Sequence, residues 1–309
     1  MNRSQLVLRA ATAGMLVVAA SFIPRRVTAL EVYTSPRDAN VSAAGARSVQ
    51  IEAAAGSLRV EGRSGIDQVQ VRGMAKASRK SRLDDIKLIA ERRGDVVFIK
   101  ADIPDHSTGF FSAMNGDYQM ALDLVIEVPM SLAITAGDGS GDAEFNNTGA
   151  LDVSDGSGEL FVRGAHGDVR ITDGSGNITI EGVEGAVRVG DGSGNINARN
   201  VTGNFVVEDD GSGDIDVAGV GGTMRVENDG SGNIKARNVT GNFVVNDDGS
   251  GDIDVAGVGG TMRVENDGSG NINADRVAGD FVVDHDGSGI IRYDTVKGSV
   301  RIPERKRRG

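Results

Sequence analysis

The residues best placed to do chemistry are nine aspartates, each opening an Asp-Gly-Ser-Gly tetrapeptide: Asp138, Asp155, Asp173, Asp191, Asp210, Asp229, Asp248, Asp267 and Asp286. A file of evenly spaced carboxylates has two roles open to it. It can offer oxygen ligands to Ca2+, a hard cation that takes carboxylates and backbone carbonyls. Alternatively, each carboxylate can accept hydrogen bonds from the amides of its own Gly-Ser-Gly, an Asx-turn that fixes a bend and disperses the charge. The spacing differs from the nonapeptide glycine-aspartate repeat that binds Ca2+ in β-rolls. The turn-forming role is therefore adopted, and no metal site, cofactor or catalytic residue is assigned.

Other reactive side chains are sparse. The three histidines, His106, His166 and His285, lie far apart, and cysteine is absent. That absence removes disulfides, thiol catalysis, cysteine-bound metals and a lipid-modified N-terminal cysteine. There is no nucleophile motif, phosphate loop or zinc spacing. Polysaccharide-cleaving enzymes work through carboxylates clustered at one place, whereas here acids recur in every repeat with no unlike partners gathered around them. With no Trp and 4% aromatic residues, few platforms are left for sugar stacking. Arg93-Gly94-Asp95 reads as a polar glycine turn rather than a recognition tripeptide. The Asn-x-Thr sequons at Asn146, Asn177, Asn200 and Asn238 carry no weight. Thr202 and Thr240 alternate with Gly221 and Gly259, which rules out the flat threonine ranks that ice binding needs.

The aspartates are positioned by a repeat whose period settles from 17 and 18 residues to 19. A unit this short cannot bury a core alone and must stack on its neighbours. Across residues 201–238 the apolar positions are Val201, Phe205, Val207, Ile215 and Val217, then Val220, Met224, Val226, Ile234 and Ala236. Within each strand they are spaced by two, so one face is apolar. Each turn thus carries a Phe-x-Val strand and an Ile-x-Val strand, joined by Asp-Gly-Ser-Gly at one corner and Thr-Gly or Gly-Gly at the other. The predicted fold is all-β, a parallel β-solenoid (β-helix) of about 19-residue turns with an irregular β N-terminal cap region. Turns about 4.8 Å apart would stack nine units into roughly 40 Å.

A second period lies over the first. Residues 201–238 and 239–276 differ only at Glu208/Asn246, Lys235/Asn273, Arg237/Asp275 and Asn238/Arg276. The column after the tetrapeptide reads Asn195, Asp214, Asn233, Asp252, Asn271, and the one before it reads Asp209, Asn228, Asp247, Asn266, His285. Neither column sets two acids side by side, as repulsion across one strand spacing demands. Asp216 falls beside Lys235, and Arg225 and Arg263 are interleaved with Val206, Val244 and Val282. Only the corner aspartate stays acidic in all nine turns.

Upstream, segments 48–54, 57–61 and 68–72 read as short strands, and 86–90 with 96–99 as a hairpin around Arg93-Gly94-Asp95. Residues 76–82 read as a basic solvated loop. The insertion 106–117, with Phe110-Phe111, is the best candidate for an exposed apolar contact, although burial against the solenoid is favoured. Leu122-Asp-Leu-Val-Ile-Glu-Val-Pro129, then Leu132-Ala-Ile-Thr135 and the first Gly-Ser-Gly-Asp corner, resembles the bacterial putative adhesin family over most of residues 48–302. The resemblance implies a β-solenoid, export to the cell envelope and an adhesive role, with no catalytic residues to carry over. The 19-residue regularity is stricter than the family's pattern.

Arg3 and Arg9 precede an apolar stretch over residues 10–23, the form of a secretory signal too short to span a bilayer. Cleavage is placed after Ala29, with Ala20 as the alternative. The chain is divided into a signal peptide at 1–29, an irregular β N-terminal part of the solenoid at 30–136, the regular solenoid at 137–302 and a basic tail at 303–309. Losing residues 1–29 removes four arginines from the 33 basic residues and none of the 44 acids, so 29 against 44 leaves a mature charge of −15. Such a body repels nucleic acid and anionic membrane; Arg305, Lys306, Arg307 and Arg308 read as a solvated exception. No later stretch is a transmembrane anchor. The sequence therefore predicts an exported, non-enzymatic structural or adhesive surface in the bacterial envelope, periplasmic or outside the cell, whose ligand is an envelope protein or polysaccharide. The alternatives are a Ca2+-binding envelope module built on the corner aspartates and, third, a carbohydrate-active β-helix enzyme.

Overall fold

Apolar side chains at alternate positions of a strand form one sticky face, and two such faces in each repeat can be buried only by closing a turn and stacking it on the next. The computed structural model describes residues 32–104 and 120–303. The expectations for residues 1–29, for His106 and Phe110-Phe111, and for Arg305 to Arg308 lie outside the described residues. The repeats form a parallel β-solenoid, and the described strands, those of the N-terminal region included, make two 13-stranded sheets. One turn consists of Phe205–Asp210 in one sheet and Ile215–Val220 in the other. In that turn Phe205, Val207, Ile215, Val217 and Val220 are at most 1% exposed. The register carries Phe205 onto Met224, Phe243, Met262 and Phe281 in turn. All five are fully buried, forming the expected internal ladder.

Two departures from strict alternation shape every turn. In the Ile-x-Val strands the residue before the last apolar one has positive φ: Gly164, Gly182, Asn200, Gly219, Asn238, Gly257, Arg276 and Thr295, with φ between 53° and 77°. Glycine and asparagine are the residues that tolerate this left-handed geometry, which explains the Gly/Asn alternation, Asn200 and Asn238 included. In the Phe-x-Val sheet the register slips between Val189 and Gly190, where the next strand holds one extra residue. This β-bulge inserts Glu208 and lengthens the period from 18 to 19, while Asp209 stays in register with Gly190.

The N-terminal region is more ordered than predicted. Its strands are β1 (Tyr33–Ser42), β2 (Ser48–Glu52), β3 (Leu58–Arg63), β4 (Gln68–Ala77), β5 (Lys87–Arg93), β6 (Val96–Asp102), β7 (Met120–Pro129), β8 (Ala133–Asp138) and β9 (Ala143–Asn146). The turn β2–β3 stacks directly on β8–β9, while β6 and β7, which come between them in sequence, pack on its other side. Beyond these, β4 and then β1 add antiparallel to β7, and β5 adds antiparallel to β6. The predicted loop at 76–82 is a correction. Lys76 belongs to β4 and pairs with Asp123, and Lys80–Asp85 is a 3-10 turn that buries Leu83. β1 was not foreseen, because its residues Tyr33 to Ser42 are polar and include Pro36, which an edge strand tolerates.

Candidate functional site

The nine corner aspartates come into one column. Asp138, Asp155, Asp173 and Asp191 are in register, and from Asp191 the column continues through Asp210, Asp229, Asp248 and Asp267 to Asp286. The first eight are buried, at 2–7% exposure, on the same inward face as the core. Each turn therefore encloses five apolar side chains and one carboxyl group.

Burial follows from strand parity and the bulge. In Val153-Ser154-Asp155, Ile171-Thr172-Asp173 and Val189-Gly190-Asp191 the acid lies two residues beyond a buried apolar one, hence on the same face. In the 19-residue turns the acid lies three beyond, and alternation alone would turn Asp210 outward. The extra residue of the bulge restores it to the inside. The three earlier turns carried the signal for burial.

The corner is sewn together by its backbone. The amide of the first glycine donates to the aspartate carbonyl one turn back, as in Gly230 to Asp210 and Gly249 to Asp229. At Gly232, φ is 147° and a Cβ would lie 1.7 Å from the Gly213 carbonyl oxygen, so no other residue fits.

The expected Asx-turn forms in part. The amides of Ser157, Ser175 and Ser193 donate to Oδ1 of Asp155, Asp173 and Asp191 at 3.0–3.2 Å. At Asp138, Asp210, Asp229, Asp248 and Asp267 neither carboxyl oxygen has a hydrogen-bond partner. In the bulged corners the Ser212, Ser231, Ser250 and Ser269 amides lie near enough to favour the charged form weakly, but outside hydrogen-bond geometry.

Burial without compensation raises these carboxyls well above the ordinary range. Desolvation, followed by the charge of a neighbouring rung, pushes Asp138, Asp210, Asp229 and Asp248 up to about 7. Asp267 rises to about 6 for the same reasons. Desolvation also brings Asp191 to about 6 and raises Asp155 and Asp173. The half-buried Asp214 behaves oppositely: the backbone and side-chain amides of Asn233 both donate to it and hold its pKa low.

The other predicted columns form as expected. Asn228 and Asn266 donate to Asp209 and Asp247, and Asn271 donates to Asp252. Asp216 registers with Lys235 and is paired by Arg237 at 3.3 Å. The Arg93-Gly94-Asp95 turn closes the β5–β6 hairpin. Arg93 is committed there, pairing with Glu91 at 2.6 Å and lying 3.5 Å over the Phe98 ring. His166 faces Glu184 at 3.0 Å, and His285 lies apart from it near the Glu265 carbonyl.

Outside the ladder, two shallow grooves lie among the described residues. One, of about 290 Å³, is lined by Asp152, Asp168, Arg170 and Arg188. The other, of about 310 Å³, is lined by Asp254, Asn273, Arg292 and the half-exposed Tyr293. Among the described residues, no three His, Asp or Glu side chains converge to hold a metal ion. No helix among them is long and apolar enough to cross a membrane.

No protein-family model and no curated protein matches the sequence. Among solved structures, the chain is similar to a putative cell adhesion protein from Clostridium sporogenes, with 10% identity, coverage of 88% of this chain and 99% of that one, and a TM-score of 0.30. It is also similar to a putative adhesin from Bacteroides fragilis, with 11% identity, 88% and 97% coverage and a TM-score of 0.32. A third is a putative lipid binding protein from Parabacteroides distasonis, with 13% identity, 86% and 96% coverage and a TM-score of 0.28. At TM-scores this low the fold rests on the strand pairing alone.

Proposed function

We propose that the protein is an exported, non-enzymatic β-solenoid that serves as a structural or adhesive surface in the bacterial envelope. The observation that carries this reading is the outward charge pattern, which repeats along the stack and is satisfied from turn to turn. Glu144 pairs with Arg59 and Arg163 at 3.0 and 2.8 Å, and Glu208 with Arg170 and Arg188 at 3.0 and 3.6 Å. The first cluster lies on one sheet and the second on the other, so both outer faces carry charge patterns suited to contact with an extended or repeating ligand such as an envelope polysaccharide or a surface protein. Export is supported by the form of residues 1–29.

Two measurements test the proposal. The protein recovered from its producing cell should lie outside the cytoplasm and begin after Ala29 or Ala20; a full-length cytoplasmic chain refutes export. Immobilised protein should bind isolated envelope polysaccharide or envelope protein saturably, and the lack of saturable binding to both refutes the adhesive role.

A further inference from the structure

We propose that the buried corner aspartates, Asp138 to Asp267, form a proton-binding ladder in which carboxyl groups of successive turns share protons along the solenoid. The geometry rests on three observations. The rungs are in register turn after turn. All eight are more than nine-tenths buried. At five of them both oxygens lack a partner, and at Asp155, Asp173 and Asp191 Oδ2 does.

An unpaired buried carboxylate is among the costliest groups a fold can hold, and eight in file would repel one another as well. The charged groups bearing on the column add to the repulsion. Asp142 acts on Asp155, Asp214 on Asp210 and Asp229, and Asp252 on Asp267, besides the neighbouring rungs. Among the described residues, no Lys or Arg is a cause of the shift at any of these sites. Protons are the remaining counter-charge that fits inside the core.

Strands about 4.8 Å apart leave room for a neutral carboxyl O–H to donate to the carboxylate of the next turn, at about 2.5–2.7 Å. One proton then removes a charge and satisfies two oxygens. The ladder begins at Asp138 because the turn stacked before it has no aspartate at its corner: Glu52 registers with Gly137, and the chain turns there through Ala53 and Ala54. The column of proton sites is thus set by the extent of the Asp-Gly-Ser-Gly repeats. The raised pKa values of the rungs agree with this arrangement.

The sign follows from linkage. The folded protein holds protons that the unfolded chain, with carboxyls near 3.8, releases. Where the native state binds more protons, stability falls as pH rises. The ladder's contribution is complete below the unfolded value and is lost as pH climbs through about 6 to 7.

The test is thermal unfolding of the full chain from pH 4 to 9 with EDTA, for the parent and for Asp229→Asn with Asp248→Asn. Asparagine keeps the turn-forming amide and cannot titrate. The parent Tm should fall steeply between pH 5 and 8, and the double variant should lose about one linked proton for the substituted pair of rungs. Subtracting variant from parent removes the titration of surface acids. In parallel, infrared spectra of the folded parent at pH 6 should show the protonated-carboxyl stretch, diminished in the variant. That measurement decides the matter if the variant does not fold. A parent Tm that is flat or rises from pH 5 to 8, or an absent carboxyl band, would overturn the proposal. So would a saturable Ca2+-dependent rise in Tm at pH 8 that Mg2+ does not reproduce and the variant lacks, since the column would then be a cation file.

Discussion

Phe243 shows how much of a single inward position the repeat dictates. It is fully buried between Met224 and Met262 in the column that also holds Phe205 and Phe281. Truncation to alanine leaves a cavity that cannot collapse without shifting both neighbouring turns, so Phe243→Ala should cost about 3–5 kcal/mol in a reversible denaturant melt; a loss below about 1 kcal/mol would mean that the turns relax around the gap. This inward face was legible in the sequence because Phe205 and Val207, like Ile215 and Val217, are spaced by two. The corner aspartate was not read as buried, although Asp155, Asp173 and Asp191 sit on the same parity as Val153, Ile171 and Val189. The Asx-turn reading left the face of the carboxyl open, and the bulge hides the parity in the later repeats. Side-chain type competed with position, and position prevailed because the strand continues through the acid before the corner begins.

At the scale of a strand and its neighbours, the recent two-turn duplication is explained by two columns with different physics. In the polar column, Asn233 donates through its side-chain amide to Asp214 at 2.9 Å and accepts from the Asp252 amide at 3.1 Å. Asn233→Asp removes the donor and sets three acids in file. The cost should be about 0.2–1 kcal/mol, shrinking as salt is raised from low ionic strength; a penalty that ignores salt would place its origin outside charge repulsion. In the left-handed column, Gly219, Asn238 and Gly257 meet the backbone's demand, whereas Arg276 occupies it at φ 53°. Arg276→Asn should therefore stabilise by roughly 0.5–1 kcal/mol, measured as a shift in denaturant midpoint at constant slope; an unchanged or lower midpoint would show that its contact with Asp275 outweighs the backbone strain. Sequence reading found the first column from its acid–amide alternation. It missed the second because Gly, Asn, Arg and Thr share no chemistry, only a tolerance for φ > 0.

In the stack as a whole, each turn touches only the turns on either side, so stability is distributed along the molecule rather than concentrated in one core. The order of turns at the N-terminal side could not be read from sequence: β2–β3 and β8–β9 are adjacent in space but separated by the excursion through β4 to β7. That excursion covers the first turns with antiparallel strands and the 3-10 turn holding Leu83. The last described turn is different. Tyr293, although 5.9 Å from Phe281, is 50% exposed, Val300 is 36% and Ile302 39% exposed, while the equivalent interior positions Ala236 and Val255 are at most 3% exposed. Local opening follows burial and packing, so amide exchange should be fastest in Ile291–Val296 and slow progressively toward Ile215–Val220. Hydrogen exchange read by mass spectrometry should show this gradient at the pH of greatest stability. Equal protection in the last and central turns would mean that the stack opens only as a unit, and would contradict nearest-neighbour stabilisation.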